Sequence, residues 1–320
     1  MGDGKSRVPI CVFASSLVLT ITIEARETGK SDEIHLHPGG QGFWIARMID
    51  RLGEKATLLA PLGGEAGKVI ATLIASTGVE LLATHREDES PVYIHDRRSG
   101  ERHELAEQPE PGLSRHETDD LYSRTLEAAL AAGSIVVTSR YGGTGIPVSF
   151  YARLGADLAT LDVTVIGDLH GPELAAFLKE GRIDMLKVST EDLRSDGLIR
   201  DDETASVTAA VTDLVARGAL AVVVSGGEGG SSLAHIDDAW YRVAQPSLQT
   251  ADHRGAGDAM TAGLAVGLRR KLETTEILKL AAAAGAANVV RHGLGSGDAD
   301  LADALNETVD ITEMEGHRGE

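Results

Sequence analysis

Gly255-Ala256-Gly257-Asp258-Ala259-Met260-Thr261-Ala262-Gly263 stands late in a chain of 320 residues and runs into an apolar, Ala-rich segment through Leu268. Glycines on either side of Ala256 let the backbone come close to a ligand, and the first N–H groups of a helix have no intrahelical partner. The pattern predicts a tight turn feeding a helix, whose free N–H groups and positive dipole end form an anion site. Asp258 then falls in the first turn beside that anion, where a carboxylate can accept a proton during phosphoryl transfer. An Asp near a helix start is also favourable without any catalysis. The stretch alone leaves both readings open.

Upstream of it, strands and helices alternate. Residues 134–138, 164–168, 185–188 and 221–225 read as short apolar strands, with helices over 114–132, 148–160, from 172, and 204–217. Such alternation predicts a parallel sheet covered by helices on both faces. Ligands of such sheets lie at the carboxyl ends of the strands, which is where Gly142-Gly143, Asp168, Ser189 and the glycine loop 226–230 fall. Nearer the N-terminus, 9–14 and 57–62 read as buried strands and 43–52 as a helix that Gly53 ends. Segments 17–23, 34–37, 92–96 and 102–105 read as strands of a small sheet outside the main core. Downstream, 275–290 reads as an Ala-rich helix capped by the glycines of Arg291-His292-Gly293-Leu294-Gly295. The whole is read as one α/β domain over 1–310, its small outlying sheet drawn from segments near 16–37 and 90–106, then a frayed tail over 311–320.

Composition narrows the function. Aromatics are only 3%, so the core must come from Ala, Val, Leu and Ile, as buried parallel strands allow. A formal net charge of −19 without a basic patch argues against nucleic-acid and anionic-membrane partners. Cys11 is the only cysteine, which excludes an intrachain disulfide and fits a reducing compartment. Residues 8–23 could pass for a signal segment, but Pro9, several Ser and Thr residues and the missing cleavage pattern count against it; the chain is read as cytoplasmic.

Other motifs are weaker. Gly63-Gly64-Glu65-Ala66-Gly67-Lys68 is one residue short of a phosphate-binding loop and has Val69 where a Ser or Thr would hold magnesium, so a turn before a helix over 68–76 is expected. No Gly-x-Gly-x-x-Gly opens a first βαβ unit, which disfavours a dinucleotide site. His35, His37, His95 and His103 are expected as exposed strand residues, not as metal ligands. Trp44 is expected to pack in its helix. Arg140 after a strand end could touch a substrate or be a surface charge, and Arg254 could help bind a phosphate or face solvent; Asp168 could serve the site or cap a turn.

Taken together, these residues resemble the PfkB (ribokinase-like) carbohydrate kinases, closest to their phosphofructokinase-type branch. Gly39-Gly40-Gln41-Gly42, with a helix ending Arg51-Leu52-Gly53, is similar to that family's first signature, and Gly255-Ala256-Gly257-Asp258-Ala259 to its second. Further matches are Leu62-Gly63-Gly64, Lys187 ahead of Ser189-Thr190-Glu191-Asp192-Leu193, Val224-Ser225-Gly226-Gly227 with Gly230, and Ala286-Ala287-Asn288-Val289.

The resemblance implies a ribokinase-like three-layer sandwich with a mostly parallel central sheet and a small β-sheet lid. It implies ATP and Mg2+ as cofactors, a sugar or sugar-like acceptor, and a homodimer formed through the lid. Asp258 would be the general base, with Gly255, Ala256 and Gly257 completing the anion hole. Lys187, Ser189, Ser225, Gly227, Gly230 and Asn288 would bind the nucleotide, Gly39, Gly40, Gln41 and Arg140 the acceptor, and Asp192 magnesium through water.

The departures cluster at the acceptor end. Ser16-Leu17-Val18-Leu19 offers no carboxylate where the family grips sugar hydroxyls, Gln41 and Trp44 replace expected polar residues, and Glu89 or Ser90 stands where a phosphate-binding Arg is expected. On the nucleotide side, Ser189-x-x-Asp192 replaces Asn-x-x-Glu. A non-catalytic ligand-binding or regulatory protein of the same fold is therefore the rival reading.

Overall fold

The computed structural model describes residues 8–26, 31–139, 145–227, 230–244, 255–289 and 299–314. The chain begins with β1 (Ile10–Phe13), β2 (Val18–Ala25), β3 (Asp32–Gly39), α1 (Gln41–Arg51), β4 (Ala56–Leu62), α2 (Gly64–Ala75), β5 (Glu80–His85), β6 (Val92–Asp96) and β7 (His103–Gln108). The middle holds α3 (Arg115–Ala132), β8 (Ser134–Thr138), α4 (Val148–Leu158), β9 (Thr164–Asp168), α5 (Gly171–Leu178), β10 (Met185–Ser189), α6 (Thr190–Ser195) and α7 (Thr204–Ala216). It closes with β11 (Val222–Ser225), β12 (Ser232–Ile236), β13 (Ala239–Ala244), α8 (Ala256–Arg269), α9 (Thr274–Val289), α10 (Ala299–Asn306) and β14 (Asp310–Glu313).

Ten strands form one sheet in the order β14-β13-β12-β11-β10-β9-β8-β1-β4-β5. Pairing is parallel from β11 to β5, so the carboxyl ends of those strands share one edge, and antiparallel from β11 to β14. The strands are short apolar runs because both faces are covered. One face carries α1, α2, α8, α9 and α10, and the other α3, α4, α5, α6 and α7, each with its own buried cluster. This is the expected three-layer sandwich. Its core is dominated by Ala, Val, Leu and Ile, and Cys11 lies within it, its thiol pushed up to about 12 by burial.

The lid is a separate four-stranded sheet, β3-β2-β6-β7. β2 pairs antiparallel with β3 and parallel with β6, and β6 pairs antiparallel with β7. α2 packs against β2 and β3 and so ties the small sheet to the body of the domain.

Several elements differ from expectation. The glycine-rich 63–67 segment is no free turn: α2 already begins at Gly64, which takes a positive φ of 65°. β5, the β12–β13 hairpin and α6 were not foreseen. The tail expected to fray from 311 begins instead with β14, whose residues Asp310 to Glu313 pair with Ala244 to Tyr241. Of the lid histidines expected on the surface, His95 is 5% exposed and lies against Arg102.

Candidate active site

The site is assembled where the parallel strands end. β9 finishes on Asp168, β10 on Ser189 and β11 on Ser225, and α8 starts against them. Gly255 precedes α8 in the left-handed region, φ 75°, which glycine adopts without a steric cost. No side chain caps this helix, so the N–H groups of its first turn stay open to an anion. Residues 255–258 are half-buried, while everything from Ala259 to Gly267 is packed away.

Close packing against α9 holds α8 in place. A Cβ on Gly263 would lie 2.6 Å from the Ala281 Cα, and one on Gly285 would lie 3.2 Å from the Ala256 carbonyl oxygen. The Ala- and Gly-rich composition of both helices is what lets their backbones approach this closely. Asn288, buried at 1% exposure, follows one turn after Gly285.

Beneath the turn lies a charged cluster. Lys187 on β10 is buried and sets its Nζ 3.5 Å from Asp168 Oδ1. A Cβ on Gly257 would meet that Nζ at 2.6 Å, so only glycine lets the ammonium lie against the first turn of α8. Thr261, one turn into α8, donates its hydroxyl to Asp168 Oδ2 at 2.5 Å. Desolvation pushes the Asp258 carboxyl up to about 7; the charge of Asp168 adds to the rise and Lys187 opposes it. Burial by itself would lower the Lys187 ammonium, but Asp168, then Asp258 and Asp192, outweigh it and hold it above its ordinary value.

Ser189 and Asp192 are turned toward each other in a capping box at the start of α6. The Ser189 N–H and Oγ donate to Asp192 Oδ2 at 2.9 and 2.6 Å, and Ser189 Oγ accepts from the Asp192 N–H at 3.0 Å. Thr190 donates to the Gly226 carbonyl at 2.9 Å and ties α6 to the loop after β11, where Gly227 N–H reaches the Ser231 carbonyl and Gly230 N–H the Gly227 carbonyl, both at 2.9 Å. Ser225, Gly227 and Gly230 thus border one loop beside the start of α6. Among the described residues no group of His, Cys, Asp and Glu side chains could by itself hold a metal ion.

At the other end of the edge, Gly39, Gly40 and Gly42 are there for packing. Added Cβ atoms would stand 2.9 Å from a Val18 methyl, 2.7 Å from the Ser16 carbonyl oxygen and 2.5 Å from the Ala14 Cβ. They let Gln41 open α1 against the segment that joins β1 to β2. Trp44 is buried, its ring 4.9 Å from that of Phe43 and with Arg47 5.8 Å from its centroid, as helix packing requires. Arg140, Gly142, Gly143, His253, Arg254 and the 291–295 glycines lie outside the described residues.

The anion equipment after β4 and β5 is used internally. Glu89 accepts from the N–H groups of Glu65 at 3.1 Å and Ala66 at 3.3 Å, and its carboxyl occupies the space a Gly64 Cβ would need. Ser90 Oγ accepts from the Gly63 N–H at 3.1 Å. Arg86, 1% exposed, pairs with Glu110 at 2.5 Å and donates to the Pro111 carbonyl at 2.6 Å. This buried pair was not foreseen, because nothing in the spacing of Arg86 and Glu110 links them. Thr261 was missed too; its one signal is a hydroxyl in an otherwise apolar helix.

Comparison with known proteins agrees with this picture. The profile of the family described as pfkB family carbohydrate kinase matches residues 10–300. The chain is 28% identical over 261 residues to the ATP-dependent 6-phosphofructokinase isozyme 2 of Escherichia coli (strain K12), covering 80% of this chain and 82% of that protein. It is 28% identical over 310 residues to the enzyme of that name from Mycobacterium tuberculosis (strain CDC 1551 / Oshkosh), covering 93% and 88%. The crystal structure of the phosphofructokinase-2 from Escherichia coli in complex with potassium superposes with a TM-score of 0.82 at 24% identity, covering 94% of this chain and 99% of that one.

Proposed function

The chain belongs to the pfkB family of carbohydrate kinases, and from that membership we propose that it transfers the terminal phosphoryl group of ATP to an alcohol group of a sugar or sugar-like acceptor. The observation that carries this is the uncapped first turn of α8 with Asp258 in it, its carboxyl pushed up to about 7. A base that titrates near working pH is both ionised enough to accept a proton and basic enough to hold it.

In this reading Asp258 takes the proton of the acceptor hydroxyl as its oxygen bonds to phosphorus and the bond to the leaving nucleotide breaks. The N–H groups of Ala256, Gly257 and Asp258 stabilise the charge spread over the phosphoryl oxygens. Ser189, Ser225, Gly227, Gly230 and Asn288 border the nucleotide. Lys187 acts from below the turn, by charge. Asp192, engaged in its capping box, would hold magnesium through water, and the ion bound with the nucleotide would supply charge that offsets the phosphates. Gly39, Gly40 and Gln41, at the start of α1, are assigned to the acceptor, and so is Arg140, which lies outside the described residues.

We place the chain in the reducing cytoplasm, on its single buried Cys11; among the described residues no helix is long and apolar enough to cross a membrane. We assign a homodimer through the lid, on Ile34 and Leu36, 63% and 43% exposed on a sheet face shared with Ile23 and Ile21.

The test is turnover of ATP–magnesium against a panel of free sugars, sugar phosphates and nucleosides, with calorimetric titration of ATP–magnesium alongside. Turnover of one acceptor class supports the proposal. Absence of both nucleotide binding and turnover overturns it in favour of a non-catalytic ligand-binding protein, the reading that the carboxylate-free Val18 region favours.

A further inference from the structure

We propose that Thr261 is a positioning residue for Asp258, acting through Asp168: its hydroxyl fixes and partly neutralises the Asp168 carboxylate, which in turn faces the base. This rests on Asp258 being the base of the kinase reaction.

Asp168 is 4% exposed at the end of β9, and both of its oxygens are engaged, Oδ1 by the Lys187 ammonium at 3.5 Å and Oδ2 by the Thr261 hydroxyl at 2.5 Å. Thr261 is fully buried. Its hydroxyl also lies 3.1 Å from the Gly257 carbonyl, the usual contact of a helical Thr with the residue four before it. A hydroxyl has one proton, and the shorter contact to a charged acceptor is the stronger. That proton therefore serves Asp168, and Thr261 departs from what a helical Thr does by default.

The geometry has a mechanical side. Thr261 is three residues after Asp258, on the same face of α8, so its bond to β9 fixes the rotation of the first turn relative to the sheet. Lys187 does the same from β10 by lying against Gly257. Two strand ends thus clamp the turn that carries the base.

It has an electrostatic side as well. Among the described residues the charged groups acting on the Asp258 carboxyl are Asp168 and Lys187. A hydroxyl dipole aimed at Asp168 offsets part of its negative charge, so the charge felt at Asp258 is smaller than a bare carboxylate would give.

The experiment compares Thr261→Val, which keeps shape and removes the hydroxyl, with Thr261→Ser, which keeps it, and with Asp168→Asn. Carboxyl carbon NMR follows the titration of Asp258 in the chain without substrate, Asp258→Asn identifying its signal; no turnover is needed. Thr261→Val is expected to raise the Asp258 titration point and Asp168→Asn to lower it, while Thr261→Ser leaves it at the wild-type value. With an acceptor in hand, Thr261→Val is expected to lower kcat roughly tenfold with KM for ATP unchanged, and Thr261→Ser to restore it. An unmoved or lowered titration point in folded Thr261→Val overturns the proposal, whatever the turnover. Failure of every acceptor with the titration shifts intact overturns the kinase reading alone.

Discussion

Lys187 holds its ammonium 3.5 Å from Asp168, with the two side chains 7% and 6% exposed. So little solvent reaches them that the pair cannot be treated as a surface ion pair worth a fraction of a kcal/mol. Lys187→Met leaves Asp168 and Asp258 facing each other without a cation. We expect a loss of about 3 kcal/mol at pH 8, read from urea midpoints. Asp258, which already binds its proton more tightly in the folded chain, would lose the one cation that opposes that rise, so the loss shrinks as pH falls; an equal loss at pH 5 would show that charge is not the cause.

Asp258 gives the opposite sign. Its carboxyl rises from the ordinary 3.8 to about 7 in the folded chain. The folded state therefore binds this proton more tightly than the unfolded one, and the stability it contributes is full below about pH 4 and lost as pH rises through about 7. Asp258→Asn is expected to be more stable than wild type by about 4 kcal/mol at pH 8 and equal to it near pH 4, measured as melting temperature against pH. Equal melting curves at pH 8 would refute the shift.

Arg86 and Glu110 bury one charge each beside the start of the lid hairpin. Glu110→Gln strands a guanidinium in the core and is expected to cost about 3 kcal/mol. Arg86→Met combined with Glu110→Leu removes both charges and is expected to cost less than that single change. Chemical denaturation of the variants decides it.

Glu89 acts as a built-in anion on α2. Glu89→Ala is expected to cost about 1 kcal/mol through lost N–H partners at the helix start. Gly64→Ala is expected to cost more, because its φ of 65° disfavours a side chain and the new methyl displaces the Glu89 carboxyl. Thermal melts rank the two.

The fold was legible because its signals are local. Apolar runs such as 134–138 and 164–168 became buried parallel strands, and the helix expected over 114–132 forms as α3, with Ser114 as its cap. β5, reading Glu-Leu-Leu-Ala-Thr-His, was hidden by its polar ends at a sheet edge, and the β12–β13 hairpin turns through Asp237 and Asp238 at positive φ without a glycine to mark it. At the site, the glycine turn and Asp258 could be seen because helix starts have a sequence pattern. The Thr261–Asp168 and Arg86–Glu110 contacts join residues 93 and 24 positions apart, and only packing brings them together.

The most direct test of the central claim is phosphoryl transfer from ATP to the acceptor found in the panel, wild type against Asp258→Asn, with ATP binding measured in both. ATP binding is expected to survive and kcat to fall by roughly a thousandfold. Turnover by Asp258→Asn within a few fold of wild type would contradict it.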